Sequence, residues 1–170
     1  MPGCLSRMID VGGQIHERVY WEAEYHNLLA CIFVVNLAEY DDDISINHQG
    51  KRCNKFFEAF ELFKDVATHP KNEGTPFVVL LNKCDLFQEQ LRGGITGLSY
   101  LFPEVPPEND FNYNYACEYI GNYFCSVKRK AKNIYFVTKA TDTSLIRDIF
   151  SELTAAVSDM NIRSAGLVLS

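Results

Sequence analysis

Residues 76–85 read PFVVLLNKCD, six largely apolar residues followed by four polar or reactive ones. A short run of β-branched and aromatic residues behind a proline is typical of a strand that is buried on both faces of a parallel sheet. In such sheets the ligand-binding residues follow the carboxyl ends of the strands. The stretch therefore predicts a buried strand over 76–81 with a functional loop directly after it.

Two further stretches have the same apolar character. LLACIFVVNL at 28–37 and IYFVT at 134–138 are rich in β-branched and aromatic residues, and we expect each to be a buried strand. The short apolar piece MIDV at 8–11 is interpreted as a truncated fourth strand, because it is followed at once by two glycines and a glutamine. A loop and a helix are expected after that glutamine.

Amphipathic stretches separate these strands. Apolar residues at helical spacing predict helices from about Gln49 to Thr68, over 113–130 and over 143–160. Residues 92–110 contain glycines, prolines and few periodic apolar positions, which predicts an irregular surface loop. The alternation of strands and helices predicts an α/β fold in which helices cover both faces of a parallel sheet.

Composition excludes several classes of function. The net charge is −6 and the isoelectric point is near 5.2, which argues against a nucleic-acid partner. No apolar run has the roughly 18–20 residues needed for a transmembrane segment. The six cysteines include no CxxC pair and are interpreted as reduced thiols, and the four histidines lack the spacing of metal ligands.

Polar motifs follow three of the predicted strands. DVGGQ occupies 10–14, NKCD occupies 82–85 and TKATDT occupies 138–143. Each motif alone is weak evidence. In this order, each after a predicted strand, they resemble the guanine-nucleotide site of GTPases, and in detail the α subunit of heterotrimeric G proteins. The resemblance covers about residues 8–167 and includes four further stretches, LAEYD (37–41), NKFFEAFELF (54–63), FPE (102–104) and GL (166–167).

The resemblance implies a P-loop NTPase fold of the Ras-like type, with residues 1–170 forming a single, partial Ras-like GTPase domain. It also implies that the domain is truncated at its amino-terminal side, as the rear half of a longer protein. The strand that lies between the third and fourth strands in the family is then missing. We therefore expect a three-stranded parallel core near residues 32, 79 and 136, with 8–11 pairing poorly or directly against 28–37.

For the base of the nucleotide, the resemblance implies four binding residues. The Asp85 carboxylate accepts hydrogen bonds from N1 and N2 of guanine, a donor pair that adenine lacks, and such a site can reject the wrong base by about 10⁴-fold. Asn82 braces the loop and meets the base edge, and the stem of Lys83 covers one ring face. The Ala140 backbone N–H contacts the guanine oxygen. An ordinary turn between a strand and a helix is the alternative interpretation of NKCD.

For the phosphates of GTP, the resemblance implies three further residues. Asp10 holds Mg²⁺ through water, and the Gly13 backbone N–H contacts the γ-phosphate. Gly12 and Gly13 are interpreted as positions where a Cβ would block the required backbone angles or a close approach. Gln14 orients the attacking water, a role that general accounts of this family of GTPases already describe. A solvent-exposed loop glutamine is the alternative.

For switching and partners, the resemblance implies that Arg18 and Glu58 pair to fix the second switch onto the following helix when GTP is bound. Trp21 is assigned either to an interface with the βγ dimer or to the core. The implied partners are βγ, an effector enzyme and a G-protein-coupled receptor, which contacts the helix at 143–160. The implied location is cytoplasmic, with the inner face of the plasma membrane as an alternative.

Three parts of the family pattern do not occur in these 170 residues, and one of them is the all-helical insert. There is no G-x-x-x-x-G-K-[ST] phosphate loop, and RGGITG at 92–97 lacks the lysine. The first switch, which supplies the catalytic arginine and a Mg²⁺-binding threonine, is also missing. Three interpretations follow: a GTPase, an inactive binding module for βγ, effector or receptor, or an incomplete gene product.

Overall fold

The structure is a computed structural model that describes residues 8–14, 16–26, 28–43, 45–46, 52–127 and 130–139, and the single positions 147 and 151. Short 3-10 turns connect several of its elements. In chain order, the helices and strands are α1 (Trp21–Glu24), β1 (Cys31–Asn36), β2 (Ser45–Ile46), β3 (Arg52–Cys53), α2 (Lys55–Ala67), β4 (Phe77–Asn82), α3 (Cys84–Gly93), α4 (Tyr113–Cys125) and β5 (Asn133–Val137).

The main sheet has three parallel strands in the order β1–β4–β5. Asn36, at the end of β1, is in register with Asn82, at the end of β4, and Leu81 is in register with Val137 of β5. The carboxyl ends of all three strands therefore meet at one edge, which we call the carboxyl edge. The predicted three-stranded parallel core is confirmed.

One face of this sheet carries the hydrophobic core, to which α2, α3 and α4 all contribute. The ring of Phe63 on α2 lies 5.3 Å from the ring of Phe33 on β1 and 5.8 Å from that of Phe77 on β4. Phe124 on α4 is fully buried and completes the contact between the two helices. Because Phe63 touches the first residue of β4, α2 runs antiparallel to the strands, and its first turn lies toward the carboxyl edge.

The other face of the sheet holds a smaller cluster around Val78, with Ile32, Leu80, Ile134 and Phe136 packed beside it. The helices described above all pack on the first face. The predicted helix at 143–160 lies outside the described residues, apart from single positions. Helices are therefore confirmed on the first face, and a helix on the second face stays a prediction.

The predicted boundaries of two helices were wrong. We expected the first helix to begin near Gln49, but α2 begins at Lys55, because the Asn54 side chain accepts a hydrogen bond from the Phe56 N–H and acts as N-cap. Cys53, predicted to be helical, lies in β3 of a short antiparallel hairpin. At the other helix, α4 ends at Cys125 and does not continue to residue 130.

The segment 92–110 is not merely a surface loop. It contains 3-10 turns at Leu98–Tyr100 and Pro107–Asn109, and four of its apolar side chains are buried in the main core. The Asp110 carboxylate accepts the Ser99 N–H, which closes the segment on itself. Tertiary packing therefore fixes a stretch that lacks regular periodicity; its buried residues are Leu98, Leu101, Phe102 and Val105.

The predicted strand at 8–11 does not form. Residues 8–13 have no regular secondary structure, and the side chains of Met8, Ile9 and Val11 are 74%, 43% and 41% exposed. We expected residues 8–11 either to pair poorly or to pair directly against 28–37, and the structure agrees with poor pairing. Cys31, Cys53, Cys84, Cys117 and Cys125 are free thiols, and Cys4 lies outside the described residues.

Candidate functional site

The loops that follow β4 and β5 are joined at the carboxyl edge. The Thr138 N–H donates to the Leu81 carbonyl at 2.8 Å, and the Cys84 N–H donates to the Thr138 carbonyl at 3.3 Å. The Thr138 hydroxyl also lies 3.4 Å from Oδ1 of Asn82. Thr138 is 1% exposed, so these hydrogen bonds are shielded from water and hold the two loops in fixed relative positions.

A strained residue lies between the end of β4 and the start of α3. Lys83 has φ 60° and ψ 38°, in the left-handed region that a non-glycine residue enters at a cost of about 1 kcal/mol or more. This conformation turns the chain sharply, so that α3 begins at Cys84 and Asp85 lies in its first turn. A carboxylate in the first turn is favoured by the helix dipole. The NKCD motif is therefore both a turn and a means of presenting Asp85.

Asp85 forms an ion pair with a residue of the other loop. Its Oδ2 lies 2.8 Å from Nζ of Lys139, and the two side chains are 35% and 50% exposed. The hydrogen bond from Lys139 lowers the pKa of Asp85, and the Leu86 backbone N–H acts in the same direction. The carboxylate is thus kept ionised while it stays accessible to a ligand.

A second group of contacts lies in residues 10–26, which we call the GGQ segment. The Gly12 and Gly13 carbonyls accept hydrogen bonds from the Trp21 indole N–H (2.7 Å) and from Nε of Arg18 (3.1 Å). Oε2 of Glu17 accepts the Gln14 N–H at 3.1 Å. These contacts fold the segment back on itself, and its position 15 is outside the described residues.

Neither glycine of this segment has a positive φ; among the described glycines, only Gly94, which ends α3, does. The expectation that Gly12 and Gly13 need special backbone angles was therefore wrong for this conformation. A Cβ on Gly12 would approach the Glu17 carboxylate at 2.3 Å, and the flexible glutamate could move away.

The GGQ segment is attached at two points, one on α2 and one on the turn that follows α2. Nη1 of Arg18 lies 3.2 Å from Oε1 of Glu58, with the side chains 21% and 16% exposed. The structure thus pairs these two residues as the family resemblance implied, and the role of the pair in switching stays a prediction. Because Glu58 is in the first turn of α2, this contact brings the GGQ segment toward the carboxyl edge.

The second attachment lies beyond the other end of α2. Oε1 of Glu22 is 2.8 Å from Nζ of Lys71 and 3.9 Å from Nε2 of His69. The Tyr25 ring lies 5.2 Å from the His69 ring. The hydrogen bond from Lys71 lowers the pKa of Glu22. The sequence analysis missed this contact, because its residues carry no motif and lie 49 positions apart.

The residues predicted to meet the phosphates are all exposed. Asp10, Gly13 and Gln14 lie on the surface of the GGQ segment. Trp21 is partly buried, packs against the main core and donates its N–H to Gly12, which favours the core interpretation of this residue. Ala140, predicted to contact guanine, lies outside the described residues.

Among the described residues, the resemblance assigns one carboxylate, that of Asp10, to a magnesium ion, so these residues supply only part of a magnesium site. Within them, no group of three or more His, Cys, Asp or Glu side chains could hold a metal. Mg²⁺ in phosphate sites is bound by one or two carboxylates together with substrate phosphates, and Asp10 alone supplies one carboxylate.

Two residues of the site were missed by the sequence analysis. Thr138 and Lys139 belong to the quoted TKATDT stretch, but neither was given a role. A signal for Lys139 was available, because a basic and an acidic residue follow adjacent parallel strands and therefore lie near each other.

A parallel sheet with polar loops at its carboxyl edge defines an α/β protein whose ligand-binding residues lie at that edge. Comparison with known proteins extends this: the family model described as "G-protein alpha subunit" matches residues 2–157. A guanine nucleotide-binding protein alpha-1 subunit of Mycosarcoma maydis is 35% identical over 164 residues, which are 95% of this chain and 44% of the relative. The G(o) subunit alpha of Caenorhabditis elegans is 33% identical, with 95% and 44% covered. An alpha-7 subunit of Dictyostelium discoideum is 29% identical, with 97% and 41% covered.

The chain therefore belongs to the G-protein alpha subunit family. It spans less than half the length of these relatives. No helix in the described part of the chain is long and apolar enough to cross a membrane.

Proposed function

We propose that this chain is part of a G protein α subunit, a Ras-like GTPase domain that binds GTP and GDP in G-protein-coupled receptor signalling. Residues 82–85 and 138–140 form its guanine-recognising site. The observation that carries the proposal is the joining of the two loops through buried Thr138, with the ionised Asp85 carboxylate presented beside them. The family of the chain supports the same function.

The chemistry of the Asp85 carboxylate suits guanine. An ionised carboxylate only accepts hydrogen bonds, and guanine offers two donors, N1–H and N2–H, side by side. Adenine offers a donor next to an acceptor, and the acceptor would face the anion without a proton. Asn82 and Lys83 complete this side of the site, and Ala140 is assigned to the guanine oxygen by the family resemblance.

The GGQ segment is proposed to meet the phosphates. The Arg18–Glu58 contact lies in the first turn of α2, on the same side of the sheet as Asp85, which supports this assignment. Gln14 is exposed, so its side chain is free of the core and accessible to water. Its role in orienting the attacking water follows the established account of this family. Gly13 is assigned to the γ-phosphate, and Asp10 to the magnesium ion.

We expect guanosine monophosphate to bind this chain weakly and adenosine monophosphate not to bind. Replacing Asp85→Asn should weaken binding of the guanine nucleotide by about tenfold or more, because the NH₂ group of the new amide would face a hydrogen-bond donor of guanine. The same variant should gain affinity for xanthosine monophosphate, whose carbonyl at position 2 accepts from the new amide. Binding is measured by NMR titration of backbone amides.

Asp65→Asn is the matched control for this experiment, since it makes the same atomic change at an exposed position on α2. It should leave the guanine titration unchanged. Equal binding of guanosine and adenosine monophosphates to the unmodified chain would contradict the proposed function.

A second candidate function is a binding module for the βγ dimer without hydrolysis. The observation that favours it is the attachment of the GGQ segment to α2 and to the turn that follows it, which leaves Val19 and Tyr20 72% and 71% exposed. Adjacent exposed apolar side chains on an ordered segment are typical of a protein interface. Contact of a receptor with 143–160, binding of an effector and the inner face of the plasma membrane as location remain proposals from the resemblance.

For this second function we expect Tyr20→Asp to reduce capture of a purified βγ dimer by about tenfold or more, because it places a charge in an apolar contact. The control is Ile95→Asp, which changes a 92% exposed apolar residue outside the GGQ segment. Equal loss of capture by both variants would exclude a specific role for Tyr20.

A further inference from the structure

We propose that Lys139 reads the base: its ammonium donates a hydrogen bond to O6 of guanine, while the Asp85 carboxylate accepts from N1–H and N2–H. The inference rests on the proposed function and adds to it a specificity-determining residue. A role in base recognition was not predicted for this lysine from the sequence.

The placement of Lys139 supports this assignment. It directly follows Thr138, whose backbone N–H and carbonyl are both hydrogen-bonded to the β4 loop, to Leu81 and to Cys84. The backbone that carries the lysine is therefore fixed relative to Asp85. Its Nζ lies 2.8 Å from the carboxylate, and both side chains remain partly accessible to solvent.

The pair presents a donor next to an acceptor, both charged. Guanine has the complementary edge, with the acceptor O6 next to the donors N1–H and N2–H. A carboxylate has about four lone-pair positions, so Asp85 can keep its contact with Lys139 and still accept from the base. An ammonium has three donors, so Lys139 can bind Asp85 and O6 together.

Two other roles of Lys139 give different results. A lysine that only orients Asp85 would affect every guanine ligand equally, whatever stands at position 6. A lysine that competes with the base for Asp85 would weaken binding, and its removal would strengthen it. The effect of either role on affinity does not depend on which atom stands at position 6 of the base. A lysine that donates to O6 gives an effect that does depend on that atom.

The test is a thermodynamic cycle in which the lysine of the protein and the O6 atom of the ligand are changed singly and together. The full chain and its Lys139→Met variant are titrated by NMR with guanosine monophosphate and with 6-thioguanosine monophosphate. In the thio compound sulfur, a poor acceptor, replaces O6. The pH is kept below the value at which the thio base loses its N1 proton. Lys130→Met is the control, because it removes another ion-paired lysine, 2.9 Å from Glu73.

We expect the unmodified chain and the Lys130→Met variant to prefer the oxygen compound by about tenfold, the effect of one charge-assisted hydrogen bond. Lys139→Met should lose about tenfold in affinity for the oxygen compound and clearly less for the thio compound, so its preference for oxygen should fall severalfold. The preference that remains is assigned to the Ala140 backbone N–H, which donates to the same O6 atom. Lys139→Arg, which keeps a charged donor, should restore part of the preference.

Equal loss of both ligands in Lys139→Met would overturn base reading in favour of orientation, and tighter binding would overturn it in favour of competition. If neither ligand shifts any amide signal of the unmodified chain, the proposed function itself fails. If the ligands do bind and Lys139→Met binds both of them as the unmodified chain does, only the inference about Lys139 is overturned.

Discussion

Phe124→Ala should lower the free energy of unfolding by about 3–5 kcal/mol, the range found when a buried phenylalanine is truncated in a core that cannot collapse around it. Phe124 is fully buried on α4, and its ring lies 5.3–5.8 Å from the rings of Phe56, Phe60 and Phe63 on α2. Removing it leaves a cavity between α2 and α4. Because small domains are stable by only about 5–15 kcal/mol, this change removes a large part of the total.

The measurement is urea unfolding followed by circular dichroism. Phe124→Leu is a milder variant, which should remain folded because it keeps most of the volume. Phe111→Ala is the control, since that ring is 45% exposed and its loss should cost well under the core value. A Phe124→Ala chain as stable as the Phe111→Ala chain would mean that the contact between α2 and α4 does not support the fold.

The strands of this protein could be predicted because their sequences carry the information locally. The stretches 28–37, 76–81 and 134–138 are continuous apolar runs, and a strand buried on both faces requires such a run. Their parallel pairing followed from the alternation with helices, and the structure has β1, β4 and β5 in that arrangement.

The boundaries could not be predicted as well, because they depend on single side chains and on tertiary contacts. The start of α2 is set by the Asn54 cap, which a periodicity of apolar residues does not reveal. Burial of Phe102 depends on packing against Phe56 of α2 and Tyr119 of α4, and no local pattern in 92–110 indicates it. The helix α3 was missed because NKCD was interpreted for its chemistry, although Phe87 and Leu91 have helical spacing and Gly94 ends the helix.

In the site, too, some features could be predicted from the sequence and others could not. That NKCD and TKAT lie near each other follows from parallel strands, whose carboxyl ends share an edge. The Asp85–Lys139 ion pair is a further step, because it requires particular side-chain conformations in both loops. The predicted pairing of Arg18 with Glu58 came from the family resemblance, since no rule of spacing connects residues 40 positions apart.

For the 170-residue chain itself, we expect GTP to bind no more than about tenfold more tightly than guanosine monophosphate, because the GGQ segment alone supplies few of the contacts that the additional phosphates need. The G-x-x-x-x-G-K-[ST] motif does not occur in them. A phosphate loop supplies backbone N–H donors and a lysine. At about 1.5–3 kcal/mol per hydrogen bond to a charged group, about five such bonds amount to 7 kcal/mol or more. That free energy corresponds to a factor of about 10⁵ in affinity.

The comparison is made by titrating GTP and guanosine monophosphate into the same sample, with Asp85→Asn as the control that loses both. Hydrolysis of GTP by these 170 residues should be undetectable, because an arginine supplied to the transition state contributes about 10³-fold or more and the family's first switch, which carries it, is not among them. Submicromolar binding of GTP would show that other residues of the chain hold the phosphates. The exposed GGQ segment, attached to α2 through Arg18 and Glu58, is where those residues would then have to be sought.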